Sequence, residues 1–365
     1  MDQTHHGMGF HVSYRIMRVD RTSGYETGRL DGVVDGGVIN RNQDTDVVES
    51  ASLDYVGPDP QFGTDLLRVW ADLTYDDASA ESIALGTFLP SAPKRETTGT
   101  DGDSIPIGLT GRLKELADMG FATPVTLPAG SDPLDWIRQT ISEAGLEIAG
   151  IPATDYRLGA TRVYGTSDDT DESRLSACND LLALMGWNSL RCDAMGRVLL
   201  APYTQPKDRA PTWTFREGAG ARFLRTMTDE RDWDDVRNQV VVIYSTQGRQ
   251  IRGLAQDDDP DSRFSTVARG RVLTRTERIS DVPDDVSDAD LQRMADAKAA
   301  ELLATEEAVH RTITFTSVYA PVTIGDVVTI DYPSGLVTGD FAIRTQKLGL
   351  TPGLPIEYEA RSFTR

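Results

Sequence analysis

Up to about residue 96 the chain alternates apolar and polar positions with a period of two. In "LLRVWADLTYDD", Leu67, Val69, Ala71, Leu73 and Tyr75 fall on one face and Arg68, Trp70, Asp72 and Thr74 on the other, the pattern of a half-buried strand. Similar segments lie at 11–19, 47–56 and 82–89, separated by Gly, Asn and Asp clusters such as "VVDGGVINRNQD". They predict an antiparallel β-domain over residues 1–97, closed as a small barrel.

The polar, aperiodic stretch "SAPKRETTGTDGDSIP" reads as a linker or long loop, and after it the period becomes helical. In "SDPLDWIRQTISEAG", Ser131 or Asp132 caps, Pro133 suits the first turn, Leu134, Ile137, Ile141 and Ala144 form one stripe, and Gly145 can end the helix. In "DESRLSACNDLLALMG" the stripe is Leu175, Cys178, Leu182 and Met185, with Asp171 near the start and Gly186 at the end. "WNSLRCDAMGRVLLAPY" reads as a hairpin turning at 193–196. Residues 98–210 are therefore expected to be an inserted α+β domain.

Strands return from "PTWTFREG", and "DVRNQVVVIYS" is the clearest of them. A third capped helix, "SDADLQRMADAKAAELLATEE", presents Leu291, Met294, Ala295 and Leu302 as its apolar side, and four further strand candidates follow it. Residues 233–365 thus read as a second β-domain with a helical insertion at about 284–308.

The fold class is α+β, mainly β, and 365 residues at 39% hydrophobic suffice for two or more domains. Neither a leader-like start nor a membrane-length apolar run occurs in the sequence, so the chain is expected to be neither secreted by a cleaved signal nor inserted in a membrane. A formal charge of −20 argues against a nucleic-acid grip, which needs clustered Lys and Arg. Only five of the 37 basic residues are Lys, a bias that goes with a high-GC genome.

Candidate chemistry is sparse, and no catalytic, cofactor-binding or metal-ligating residue is assigned. Cys178 and Cys192 are too few for a disulfide framework, and Cys178 lies on an apolar stripe. The histidines are His5, His6 and His11 near the N-terminus and His310 at a helix–strand junction. A Cys–His pair involving His310 is the one nucleophile–base combination to consider. Zinc, P-loop and nucleophile-elbow motifs do not occur. "SDDTDES" from Ser167 precedes a helix, where carboxylates cap amides. "QDDDPDSRF" from Gln256 lacks the sixth-position Gly and terminal Glu of a calcium loop and reads as solvated. Two glycosidase carboxylates among 57 acidic residues would leave no spacing signature.

Taken in order, "RVWADLTYDD" and "LGTFLP", "DPLDWIRQTISEAG" and "DESRLSACNDLLALMGW", "VRNQVVVIYS", "ADLQRMADAKAAELLA" and "TIGDVVTIDY" resemble the hub proteins of tailed-phage tail tips and baseplates. The resemblance implies two small antiparallel β-barrels, each interrupted by an insert, and a homotrimer whose six barrels form a pseudo-sixfold ring beneath the tail tube. It implies that residues 211–232 return to complete the first barrel and that Gly325-Asp326 turns into a strand of the second. Its implied neighbours are distal tail or tube proteins above and central tip, tape-measure or fibre proteins below. Genomic DNA would pass through without specific binding. The product would be a virion protein made in the host cytoplasm, without enzymatic activity or cofactor. Relatives in siphophages of actinobacteria fit the Arg-rich composition. Two other classes stay open at this point: a tail-associated cell-wall hydrolase, and a carbohydrate-binding receptor protein, which would need solvent-exposed aromatic platforms.

Overall fold

The structure, a computed structural model, describes residues 6–58, 60–91, 104–150, 152–166, 172–231, 236–246, 249–279, 286–306 and 311–363. The N-terminal part supplies β1 (Phe10–Val19), β2 (Glu26–Arg29), β3 (Val33–Asn42), β4 (Glu49–Tyr55), β5 (Leu66–Tyr75), β6 (Ala80–Pro90) and β7 (Ile105–Gly111). These strands pair antiparallel in the order β3-β4-β7-β6-β5-β1-β2. The alternation of β5 is realised in full, with Leu67, Val69, Ala71, Leu73 and Tyr75 all buried. No pairing among the described residues joins β2 or β1 back to β3, so the sheet is mainly antiparallel β without a closed ladder.

The strand β7 corrects the expected start of the insert at residue 98, because residues 105–111 lie inside the first sheet, between β4 and β6. Pro106 and Gly108 make this segment a poor strand by composition. Its Ile105, Ile107 and Leu109 are nevertheless buried, and pairing on both edges overrides local preference. Most of the predicted linker, residues 92–103, lies outside the described residues.

The first insert comprises α1 (Lys114–Ala117), β8 (Val125–Leu127), α2 (Pro133–Glu143), β9 (Ile148–Gly150), β10 (Arg162–Tyr164), α3 (Arg174–Leu184), β11 (Arg191–Cys192) and β12 (Val198–Leu199). Asp132 caps α2, its carboxylate accepting from Leu134 N–H at 2.9 Å. Ser173 caps α3 through a capping box with Ser176, whereas Asp171 lies outside the described residues. The expected stripes are buried at Leu134, Ile137, Ile141, Leu175, Cys178 and Leu182. The predicted hairpin is β11–β12, with the Asp193 carboxylate accepting from the Met195 and Arg197 amides across its turn.

The C-terminal half supplies β13 (Trp213–Arg216), β14 (Phe223–Arg231), β15 (Gln239–Thr246), β16 (Arg249–Gln256), α4 (Thr266–Arg269), β17 (Thr274–Ile279), α5 (Asp288–Glu306), β18 (Arg311–Ser317), β19 (Val327–Tyr332), β20 (Val337–Gly349) and β21 (Ile356–Ser362). A second run of strands is ordered β13-β19-β20-β21-β18-β14. Residues 211–232, expected to complete the first unit, pair here instead: β13 runs parallel to β19 and β14 antiparallel to β18. The clearest strand of the sequence, β15, also stands apart from both runs, in a separate sheet ordered β16-β15-β17. The inserted body is therefore a sheet with α5 against it, not a helix alone. Alternation reports that a strand is half buried; it does not say which partner strand it finds.

Candidate functional site

The two runs of strands meet along β20. Its first half pairs with β19, from Val327↔Ala342 to Tyr332↔Val337. Beyond a register shift between Ile343 and Thr345, the edge that β19 vacates is taken by β3, from Thr345↔Asn42 to Gly349↔Val38. The shift also changes the phase of burial. Phe341 and Ile343 point inward before it, Gln346 and Leu348 after it, as one extra residue in a period-two strand requires.

That change of phase puts a polar side chain into the joint. Gln346 is 1% exposed; its amide donates to Val322 O at 2.7 Å and its carbonyl accepts from Arg41 Nη1 at 3.1 Å. Arg41 Nε donates to Glu49 Oε1 at 3.0 Å and Nη2 to Leu85 O at 2.5 Å. One guanidinium thus ties β3, β4, β6 and β20 together, with every partner a hydrogen-bond acceptor. Burial pushes the Glu49 carboxyl above its ordinary range, and the Arg41 charge works against that shift. Such a buried group is costly to leave half satisfied.

The turn quoted for its Gly-Asp pair borders the same joint. Gly325 adopts φ +83°, which favours glycine, and a Cβ there would lie 2.8 Å from Arg191 Nη1 and push that guanidinium aside. Arg191 Nη1 donates to Ile324 O at 3.1 Å and Arg209 Nη1 to Gly325 O at 2.6 Å. The first insert is fastened to the first sheet as well. Arg68 Nη2 donates to Met195 O at 3.3 Å and Thr87 Oγ1 to Ala194 O at 2.9 Å.

Among the described residues the chemistry considered from sequence is not assembled. Cys178 is buried and burial pushes its thiol up to about 12; burial likewise raises Cys192. Neither thiol has a histidine partner among the described residues, and His5 and His310 lie outside them. His6 Nδ1 sits 3.0 Å from Tyr75 Oη, and His11 is exposed. Of "SDDTDES", residues 167–171 lie outside the described residues, while Glu172 accepts from Gly165 N–H at 2.8 Å. In "QDDDPDSRF", Asp257 and Asp259 accept amides two residues ahead, and Asp258 accepts from Gln256 and Thr266. Among the described residues no group of three or more His, Cys, Asp or Glu could hold a metal ion, and no helix is long and apolar enough to cross a membrane.

The tryptophans are engaged in packing. Trp70 Nε1 donates to Glu26 at 2.8 Å and lies under Arg15, Trp136 stacks on Tyr164 at 5.9 Å, and Trp187 and Trp213 are buried; Trp233 lies outside the described residues. Sequence reasoning missed Arg41, Glu49, Gln346, Arg191 and Arg209. Only the Gly325-Asp326 turn was legible, and nothing in its residues names two arginines more than a hundred positions away.

Two runs of strands sharing β20, each followed by or interrupted by an inserted body, is the arrangement to compare with solved structures. A tail protein from Neisseria meningitidis MC58 superposes with a TM-score of 0.62 at 16% identity, covering 96% of this chain and 97% of that one. A prophage tail protein from Listeria monocytogenes EGD-e gives 0.55 at 13% identity over 96% and 95%. The 43 kDa tail protein of prophage MuSo2 from Shewanella oneidensis gives 0.53 at 10% identity over 96% and 98%. The fold is that of phage tail proteins. No protein-family profile and no curated protein sequence matches the chain. The tail-protein fold spans both runs of strands and both inserts, since the aligned part is nearly the whole of each chain. It agrees with the hub-like resemblance drawn from the order of sequence segments.

Proposed function

We propose that this chain is a structural, non-catalytic virion protein of a tailed phage, acting as a hub at the tail tip. In this reading the two runs of strands are the two barrel-like units of the hub. They are held at a fixed angle by the shared strand β20 and the Arg41–Glu49–Gln346 joint. Three chains supply six such units, matching a sixfold tube above and a threefold tip below. The observation that carries the reading is the coverage: one tail-protein fold accounts for 96% of the chain, inserts included. A ring also covers strand edges that an isolated sheet leaves open. The outer edge of β14 is one, unpaired among the described residues. With a net charge of −20, a carboxylate-lined channel would let DNA leave without sticking.

Cryo-electron microscopy of intact particles tests this. The expected result is density for this chain at the end of the tube in three copies, with central contacts made by β1–β7 and β18–β21. Six equivalent copies, or a trimer centred on the first insert, would overturn it. Release of reducing sugar or free amine from host peptidoglycan by the purified chain would overturn the non-catalytic part.

A further inference from the structure

A cleft of about 170 Å³ opens where the first sheet, the first insert and the second run of strands meet, lined among others by Arg41, Glu49, Arg191, Arg209 and Asp326. Its charges are unevenly matched. Arg41 and Glu49 pair with each other at 3.0 Å. Asp326 accepts from Thr323 N–H at 2.9 Å, and the charges of both Arg191 and Arg209 favour its ionised form, so one carboxylate faces two guanidiniums. Arg191 and Arg209 have no carboxylate within ion-pair distance among the described residues, and each spends Nη1 on a backbone carbonyl of the same turn. Among the described residues, Arg191 Nε and Nη2 and Arg209 Nε take no protein acceptor, while Arg209 Nη2 bonds to Thr204 O and its guanidinium lies 5.8 Å from the Tyr203 ring centroid.

Two guanidiniums drawn to one turn outnumber its single acid, Asp326, an arrangement that favours a further anion. Like charges in a partly buried cleft repel, and a bridging oxyanion turns that repulsion into two charge-assisted hydrogen bonds. The planar fork of Arg suits a carboxylate or a phosphate group. Bonds to Ile324 O and Gly325 O fix both groups in advance, so little freedom remains to be lost on binding. A water fills about 30 Å³, so the cleft has room for one oxyanion and its residual hydration. Burial lowers the proton affinity of Arg191 and the nearby Arg209 lowers it further, while the Asp326 carboxylate works the other way, which accords with a crowded pair sharing one acid.

We propose that this cleft is an oxyanion site in which Arg191 and Arg209 together bind one carboxylate or phosphate group, and that the bound anion locks the first insert to the 323–326 turn. The group comes either from solution or from an acidic side chain of a partner chain. The proposal stands independently of the tail-hub reading.

The test is calorimetric titration of the full chain with sodium phosphate against sodium chloride at constant ionic strength. A parallel titration uses a short Glu-rich peptide and its Gln counterpart. The expected result is saturable binding of phosphate, of the Glu peptide, or of both, with a raised thermal midpoint and no response to chloride or the Gln peptide. Which arm binds identifies the source. Arg191→Gln and Arg209→Gln are each expected to weaken binding at least tenfold, Arg191→Lys to weaken it while keeping the charge and the fold, and exposed Arg225→Gln to leave it unchanged. Absence of saturable binding in both arms overturns the proposal. So does binding that survives Arg209→Gln and Arg191→Lys undiminished, or that Arg225→Gln removes equally.

Discussion

The two inserts of this chain are held in opposite ways. The helices of the first share one continuous core with both runs of strands, Leu134, Ile137, Leu175 and Leu182 packing in the same cluster as Phe88 and Tyr358. The second insert has a core of its own, made of Val240, Val242, Tyr244, Leu291, Ala295, Ala299 and Leu303. Both combine capped helices with strands, two or three residues long in the first and six to eight in the second, but strand length does not decide which core each insert joins. What does is the direction each apolar stripe faces: toward the host sheet in the first case, toward the insert's own sheet in the second. A segment sharing a core should open only with the whole, and one with a private core can open alone.

The largest expected effect comes from the joint that makes the first insert and both runs of strands one body. Arg41→Ala leaves Glu49 buried without its partner and Gln346 and Leu85 O without a donor, a defect costing about 3–5 kcal/mol. Denaturant unfolding followed by circular dichroism and amide exchange should show β5, α3 and β20 losing stability together. The effect depends on pH. Burial already raises Glu49, so its favourable contribution is fully present below the ordinary carboxylate range and is lost as pH rises through the raised value. Removing Arg41 raises it further, so the deficit of the variant should be greatest at neutral pH and narrow on acidification. A loss under about 1 kcal/mol, the level of an exposed pair, or separate melting of the two runs of strands, would break the comparison at its root.

A smaller and confined effect is expected at Gly253 on β16. A Cβ there would fall 2.2 Å from the carbonyl carbon of Ala295 and 2.6 Å from Asp296 N, because α5 lays its small residues Ala295 and Ala299 directly on the sheet. Gly253→Ala cannot be absorbed by a flexible side chain, since the obstacle is helix backbone; overpacking of this kind costs about 1–3 kcal/mol. Hydrogen exchange should accelerate in β15–β17 and α5 while β5 and β20 keep their protection. Equal loss everywhere would mean that the second insert is not an independent unit.

The sequence showed what depends on one segment at a time. The inward face of β5, the Asp132 cap and the 193–196 turn are local consequences of periodicity and turn chemistry, and all three stand. The α5 stripe was half legible: Leu291 and Ala295 are buried, but Met294 is 44% exposed, and the stripe continues through Ala299 and Leu303. Alanine carries too little hydrophobic signal to mark a face that packs by closeness. The pairing of β13 with β19, and the phase change that buries Gln346, were not legible. A register shift is set by what lies across the strand, and unbroken alternation through Phe341 and Ile343 would place Gln346 outside. The arginines of the joint looked like any others in an Arg-rich chain.

The smallest effect tests how the second insert is tethered. The chain leaves for it at the end of β14 and returns at the start of β18, with Arg231 opposite Arg311 in the register. Just inside this neck Arg311 grips Asp229 with both arms, Nε at 2.7 Å and Nη2 at 2.8 Å, and Nη2 also reaches Leu336 O at 2.9 Å. The hydrogen bonds from Arg311 hold the Asp229 carboxyl below its ordinary range. A depressed pKa adds stability above the ordinary carboxylate range that is lost as pH falls through the depressed value. Because the pair is partly exposed, Asp229→Asn should cost about 1 kcal/mol at most, with the gap between wild type and variant fully open at neutral pH and closing in acid. If the pair fastens the neck, the loss should appear as faster exchange at the β14–β18 amides, leaving both cores unchanged. Faster exchange in α5 without change at β14–β18 would show instead that the insert is held from within, its neck carrying no share of the load.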